Sequence, residues 1–407
     1  MKKNIHFFIL ITFLLSGGHA AFSSDIGVSN SKPIYKKKRL PYDSITDDKS
    51  FYANYAFVSS QLGDEENIPL YDAYRVSFLQ ICDWAIAHDL KDKKKIIERL
   101  ESISDHNKDL NQRIVLGLCS MSFIDKSNKL ALAKRYFHTA YTYTLLEKYT
   151  EAMVFYNKNI VLLKDEKDIK LQEQYWITYR ELGGIYYNLE NYQQALYCFQ
   201  YYYLHDANTD SYYGPSCLND IGQCYKNLGQ KDSAVTYWNK ALQAIAKDTG
   251  YQRENRVYKD LMTPIIKANF FDYAVQNKNY SYALKLAKDE YRAGVQYSEA
   301  FAIARGLYKI AESHYYLKNW DSFYYYFITY IDYPSLGNTL KPKLKIYRHK
   351  LSADIATHNY SEIQRDIDKI AQYEDALTKR MSEYYNQFVL KTNYKMTQEE
   401  LALANDK

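Results

Sequence analysis

This chain lacks most of the patterns that announce chemistry. Its 407 residues hold no HExxH, no GxSxG, no P-loop and no GxGxxG, which removes the usual metalloprotease, hydrolase and nucleotide-binding signatures. Five cysteines occur (Cys82, Cys119, Cys198, Cys217 and Cys224), with no CxxC among them. Cys217 and Cys224 fall on one expected helix, about 10 Å apart along its axis, too far for a disulfide; the thiols are expected to be mostly buried, small apolar residues. Net charge is low: +5 overall, nearer +3 without Lys2 and Lys3, so the balance indicates neither nucleic acid nor a strongly anionic surface. Past the N-terminus no stretch is apolar enough to cross a bilayer. Disorder is excluded as well, with 47% hydrophobic and 25% charged residues.

Tyrosine, by contrast, is abundant, with 45 copies. Tyr packs between helices while its hydroxyl reaches water, and packing is the expected role of most of them. At the N-terminus, Lys2 and Lys3 precede an apolar stretch from Ile5 to Leu15, then the small residues Ser16, Gly17, Gly18 and Ala20. This is the order of a secretory signal over residues 1–20, cleaved after Ala20. No Cys follows the cleavage region, which argues against a lipoprotein anchor. The mature protein is therefore expected to be soluble and exported, in the periplasm or cell envelope. Residues 21–50, polar and carrying the run Lys36-Lys37-Lys38-Arg39, read as a linker. Residues 51–125 are helical without a clear repeat; Val76, Leu79, Cys82, Ala85 and Ile86 form one stripe, suited to an end unit capping an array.

Three stretches then share one pattern. They read Tyr136-x3-Ala140-x2-Tyr143-x5-Tyr149-x2-Ala152-x3-Tyr156, Tyr179-x3-Gly183-x2-Tyr186-x5-Tyr192-x2-Ala195-x3-Phe199, and Leu218-x3-Gly222-x2-Tyr225-x8-Ala234-x3-Trp238. A small residue lets two helices approach and the aromatic fills the neighbouring gap. One such unit cannot bury its apolar face alone, so copies must stack. The pattern resembles the tetratricopeptide repeat. Its second-helix small position falls at Ala152, Ala195, Ala234 and Ala283, with weaker copies at Phe323 and Ile363. The fourth to sixth copies lack the small first-helix Gly and have Phe271, Ala311 and Leu351 in its place. Gly214-Pro215 and Thr263-Pro264 look like helix starts. The expected fold is all-α: a right-handed α-α superhelix with an array over 126–370, a helical N-terminal cap and a long C-terminal helix over 371–407. Leu377, Met381, Tyr384 and Phe388 stripe that last helix.

The layout also resembles the extracytoplasmic region of tetratricopeptide-repeat sensor proteins of Bacteroidetes-type bacteria, although this sequence has neither their membrane helix nor their output domain. That resemblance implies a sensory or scaffold module with a protein or peptide partner, a membrane-bound signalling partner included. In the repeat family the inner face is lined by first-helix side chains. Carried onto this chain, these are Arg180, Tyr187 and Asn188; Ser216, Asn219, Gln223, Lys226 and Asn227; and Arg305, Tyr308, Glu312, Tyr315 and Tyr316. Asn beside Lys or Arg can hold a peptide backbone or a carboxylate. The alternative is a glycan-binding helical protein like the starch-utilisation lipoproteins, on whose Tyr and Trp faces sugars stack; the missing lipidation Cys stands against it. Asp206-x-Asn208-x-Asp210 resembles the start of a calcium loop, but Ser211 stands where Gly is needed and Cys217 where the bidentate Glu belongs. Asx-rich turn chemistry accounts for it better. His314 occupies an aromatic repeat position and is expected to pack. No enzyme, cofactor or metal is indicated.

Overall fold

Wherever the structure describes the chain, helical periodicity has become helix. The computed structural model describes residues 39–62, 68–206, 214–247, 253–333 and 340–384, and no strand occurs among them. The helices are α1 (Asp48–Leu62), α2 (Ile68–Ala87), α3 (Lys93–His106), α4 (Leu110–Met121), α5 (Lys129–Leu145), α6 (Tyr149–Leu163), α7 (Ile169–Asn188), α8 (Tyr192–Asp206) and α9 (Gly214–Asn227). They continue with α10 (Lys231–Lys247), α11 (Arg253–Lys267), α12 (Phe271–Gln276), α13 (Tyr280–Gln296), α14 (Ala300–Tyr316), α15 (Trp320–Ile331), α16 (Leu340–Ala356) and α17 (Ile363–Tyr384). The leader, most of the linker, the Asn208–Asp210 loop and everything past Tyr384 lie outside the described residues.

Six helix pairs follow α4: α5/α6, α7/α8, α9/α10, the broken α11–α12 with α13, α14/α15 and α16/α17. Their register is written in the backbone. Glu147, Glu190, Gly229, Lys278, Lys318 and His358 all adopt left-handed φ, between 55° and 77°. Each lies five residues before the second-helix position read from the sequence, including the weak copies at Phe323 and Ile363. The next residue's N–H closes back onto the carbonyl five residues earlier, as in Lys148 to Tyr143, Asn191 to Tyr186 and Asn319 to His314, at 2.8–3.0 Å in all six turns. This C-cap satisfies carbonyls that the helix end would orphan. In three turns the same residue then caps the second helix: Asn191, Asn279 and Asn319 accept from the backbone N–H three residues on.

The small-residue positions do what their size allows. Ala140, Ala152, Ala195, Ala234, Ala283, Ala311 and Phe323 are fully buried. A Cβ at Gly183 would stand 2.6 Å from Phe199 Cε1, and one at Gly222 would stand 2.5 Å from Trp238 Cδ1. The Gly is therefore the space the second-helix aromatic occupies. Ile363 is only half-buried, consistent with its place in the last pair.

Contacts divide the chain into two compact units, one ending at Thr178 and one beginning at Tyr179, so the array expected over 126–370 is shared between them. The first unit's core gathers Phe51, Phe78, Ile81, Cys82, Ile97 and Leu116. Here the linker reading needs correction: Leu40 and Ile45 pack against this core, and Tyr42 exchanges two backbone bonds of 3.0 Å with the Asn54 side chain. Two other boundaries also differ. Residue 371 lies inside α17, which serves as the second helix of the sixth pair. Pro264 does not open a helix but sits inside α11. The fourth pair's first helix instead breaks at Ala268–Phe270, a 3-10 turn, and resumes as α12.

Candidate partner-binding face

Within the unit from Tyr179 onward, the first helices α7, α9, α12, α14 and α16 carry an unusual load of charge. The helix break explains part of it. Near this break the Ile265 carbonyl accepts from Arg305 Nη2 at 3.1 Å and the Ala268 carbonyl from Lys309 Nζ at 2.8 Å. A cation inserted into the helical ladder is one of the few causes of a sharp break. Both cations also pair with Glu290 of α13, which is wholly buried. Burial nevertheless pulls the Lys309 ammonium down to about 8 against the pull of Glu290.

Next to this triad, Lys226 of α9 pairs with Asp272 of α12. Burial would raise the Asp272 carboxyl, but Lys226, with Lys309 and Lys345 nearby, holds it below its ordinary value. Asp272 is thus surrounded by cations while its side chain keeps 37% of its exposure. Glu312 of α14 pairs with Lys345 of α16 at 2.6 Å and lies 3.5 Å from His349 Nε2. Burial pushes the Glu312 carboxyl up, and the His349 and Lys345 bonds outweigh it. Lys341, at the start of α16, reaches Glu190 in the turn after α7, 151 positions away in sequence. The first helices of this unit thus share one face, tied across by ion pairs.

A second cluster lies deeper. Arg180 is fully buried and donates to Glu181 Oε1 at 3.2 Å. Burial raises the Glu181 carboxyl to about 7, with Arg180 opposing, and the Asp220 carboxyl to about 8. Asn219 donates to Asp220 at 3.3 Å and accepts from Asn269 at 2.6 Å.

These positions revise the inner-face assignment residue by residue. Tyr187, Asn188, Gln223, Lys226, Tyr308 and Tyr315 are half-buried and Asn227 is exposed, so these seven remain accessible. Asn227 donates to the Tyr187 hydroxyl at 2.9 Å and to the Gln223 carbonyl at 3.0 Å. Arg180, Asn219, Glu312 and Ser216 are buried and do not stand in solvent. The physical reason is packing against neighbouring helices: Asn219 bonds Asn269 and Glu312 pairs with Lys345 of the next first helices, while Arg180 pairs with Glu181 of its own. Tyr315 stacks on His349 at 4.1 Å and Tyr316 on Tyr280 at 5.2 Å. His314 stacks on Tyr326, a packing role. Asp272, Glu290, Lys309, Lys341, Lys345 and Glu190 went unrecognised in the sequence, because ion-pair partners from different repeats have no fixed spacing.

Among the described residues, no group of three or more His, Cys, Asp or Glu is placed to hold a metal, and no helix is long and apolar enough to cross a membrane. None of the five cysteines is in a disulfide.

Comparison with known proteins identifies the repeat in one of these pairs. The tetratricopeptide repeat family model matches residues 215–248, which is the α9/α10 pair. No match was found among curated proteins. Among solved structures, the chain is similar to the Rap conjugation gene regulator of the plasmid pLS20 in complex with the Phr* peptide. Identity there is 18%, the TM-score is 0.49, and the match covers 80% of this chain and 85% of that one. It is also similar to aspartyl phosphate phosphatase F from Bacillus subtilis, at 11% identity and a TM-score of 0.47 over 82% and 85% of the two chains. The apo form of RapI follows at 14% identity and a TM-score of 0.45 over 84% and 97%. The chain is an all-α protein that carries a tetratricopeptide repeat.

Proposed function

We propose that this chain is a non-enzymatic binding module that takes a protein or peptide segment along the first-helix face that α7, α9, α12, α14 and α16 build from Tyr179 onward, in a sensory or scaffold role. One observation carries the reading. Accessible amides (Asn227, Gln223, Asn188), lysine heads (Lys226, Lys341, Lys345) and tyrosines (Tyr187, Tyr315) come from successive first helices of one unit, so they offer a run of contacts that no single helix could. Amides suit a peptide backbone, which presents alternating donors and acceptors. Sugars would need free aromatic faces, and those of Tyr315 and Tyr316 are engaged with His349 and Tyr280. The leader over residues 1–20 supports export to the envelope, which mass spectrometry of the protein recovered from its native host would test: a mature chain starting after Ala20 is expected, and a retained Met1 refutes export by cleavage.

Binding is tested with Lys226→Ala, Asn227→Ala and Gln223→Ala together, in a chain whose helical circular dichroism is unchanged. Partner capture should fall more than about tenfold, since hydrogen bonds to charged groups contribute roughly 1.5–3 kcal/mol each. Unchanged capture would remove the site from this face.

A further inference from the structure

We infer that α17 is a proton-operated latch: Asp366 of α17 and Asp354 of α16 share one proton beside the Lys350 ammonium, and the helix lifts from α16 when that proton is lost.

Little apolar surface holds α17. Among those of its residues whose burial is described, Asp366 alone is buried. Ile363, at the second-helix position that earlier pairs fill with Ala or Phe, is half-buried. Ile370 and Tyr373 are only partly covered where they meet the core around Phe327 and Tyr347. The contact that reaches deepest is therefore a carboxyl.

Charge at that contact does not balance. Lys350 Nζ donates to Asp354 Oδ2 at 2.7 Å and to both oxygens of Asp366 at 2.8 Å. Neither aspartate side chain is exposed, and Lys350 keeps 7%. Two buried carboxyls thus face one buried ammonium. Glu362, in the turn before α17, lies 3.8 Å from Lys350 but pairs with Arg365 at 2.5 Å, and Arg365 is 69% exposed. The remaining neighbours are neutral. Tyr324 of α15 and Asn359 both donate to Asp354 Oδ1, and Tyr347 of α16 lies near Asp366. An uncompensated buried carboxylate is costly, so one of the two carboxyls keeps its proton and donates it to the other. Burial raises the Asp366 carboxyl to about 6, with Asp354 adding to the rise and Lys350 opposing it. Burial would raise Asp354 too, but its bonds to Lys350, Tyr324 and Asp366 hold it below its ordinary value.

Loss of the proton leaves two carboxylates on one ammonium, and only the docked helix carries that repulsion. Once α17 lifts, Asp366 stands in water and titrates near 4. A carboxyl raised in the docked form stabilises docking fully below about pH 4, and that contribution is lost as pH rises through about 6. The contribution of Asp354, whose value is lowered, is lost only on acidification below about pH 4. From pH 5 to pH 8 the opening equilibrium should therefore rise up to about tenfold. Opening uncovers Tyr347, against which Tyr373 packs at 5.5 Å, on the helix that also carries Lys341 and Lys345.

Hydrogen–deuterium exchange of the full chain, read by mass spectrometry and corrected for intrinsic exchange rates, tests the latch. Protection of α17 should fall up to about tenfold from pH 5 to pH 8. Asp366→Asn and, separately, Asp354→Asn leave one carboxylate for the one ammonium. Each should flatten the α17 profile and leave the profile of α9, beside Asp220, as it is in wild type. A flat α17 profile in the wild-type chain would overturn the latch without recourse to any variant. A slope that persists at α17 in either folded variant would overturn it as well, and so would a wild-type slope at α17 no different from that at α9.

Discussion

The buried Arg180–Glu181–Asp220 cluster should make this unit less stable as pH rises, and Asp220→Asn should remove much of that dependence. Burial lifts the Asp220 carboxyl from 3.8 to about 8, and Arg180 and the Asn219 bond only partly oppose it. A carboxyl whose folded value is raised binds its proton more tightly in the folded state. Its stabilisation is complete below the unfolded value, near 4, and is lost as pH climbs toward about 8. Glu181, raised to about 7 by burial, adds in the same direction. From pH 5 to pH 8, at about 1.4 kcal/mol per pH unit, the Asp220 contribution is on the order of 3 kcal/mol. Asn keeps the acceptor for Asn219 and cannot ionise. Urea midpoints followed by far-ultraviolet circular dichroism on the full chain, for wild type and variant, give the comparison. The variant should gain at pH 8 by clearly more than at pH 5. Parallel pH dependences, or a variant that is weaker at pH 8, would refute the reasoning.

Other outcomes follow from the packing. Gly222→Ala should cost about 1–3 kcal/mol, because the new Cβ meets the fully buried Trp238; a melting temperature equal to wild type would contradict the contact. Ala195→Leu should cost a similar amount at the α7/α8 crossing, where Ala195 is fully buried. Gly229→Ala should cost roughly 1 kcal/mol with no clash at all, since φ there is +77° and nothing lies within 4 Å, which equilibrium denaturation can resolve. Lys350 bonds Asp354 at 2.7 Å and Asp366 at 2.8 Å in a buried cluster, so Lys350→Met should destabilise by about 3–5 kcal/mol. The extra Asp366→Asn change should restore part of that loss.

The repeat was legible because its signal is local. Small and aromatic residues at helical spacing mark Ala140, Gly183 and Gly222 without reference to the rest of the chain. The turns were as legible but were not read. Glu190-Asn191-Tyr192, Lys278-Asn279-Tyr280, Lys318-Asn319-Trp320 and His358-Asn359-Tyr360 repeat one arrangement, a left-handed C-cap followed by Asn and an aromatic. That motif alone would have fixed the register of the weak fifth and sixth pairs. The glycines at 294 and 306 were also missed. A Cβ at either would stand under 3 Å from the neighbouring helix's backbone, at Ile303 N and Tyr291 Cα, so they mark an approach between repeats, whereas the sequence pattern marks approaches within one. Least legible was which first-helix side chains stay accessible. Arg180 and Lys226 look alike in sequence, and only the path of the neighbouring helix buries one and leaves the other at the surface.

That distinction explains why a repeat protein would carry so much buried charge. Aromatic-on-small contacts are nearly the same in the second and third pairs, where Phe199 fills the space at Gly183 and Trp238 the space at Gly222. They drive stacking but cannot say which pair follows which. The polar contacts between first helices are unlike one another: Asn219 with Asn269, Arg305 and Lys309 on the carbonyls of the broken helix, Glu312 with Lys345. A pair docked out of order would leave Glu290 or Glu312 buried without its cations, a loss of several kcal/mol. The correct order satisfies each of these groups. The same side chains therefore serve two ends. Their buried members set the order of the helices, and under the proposed function their accessible lysines lie on the surface offered to a partner.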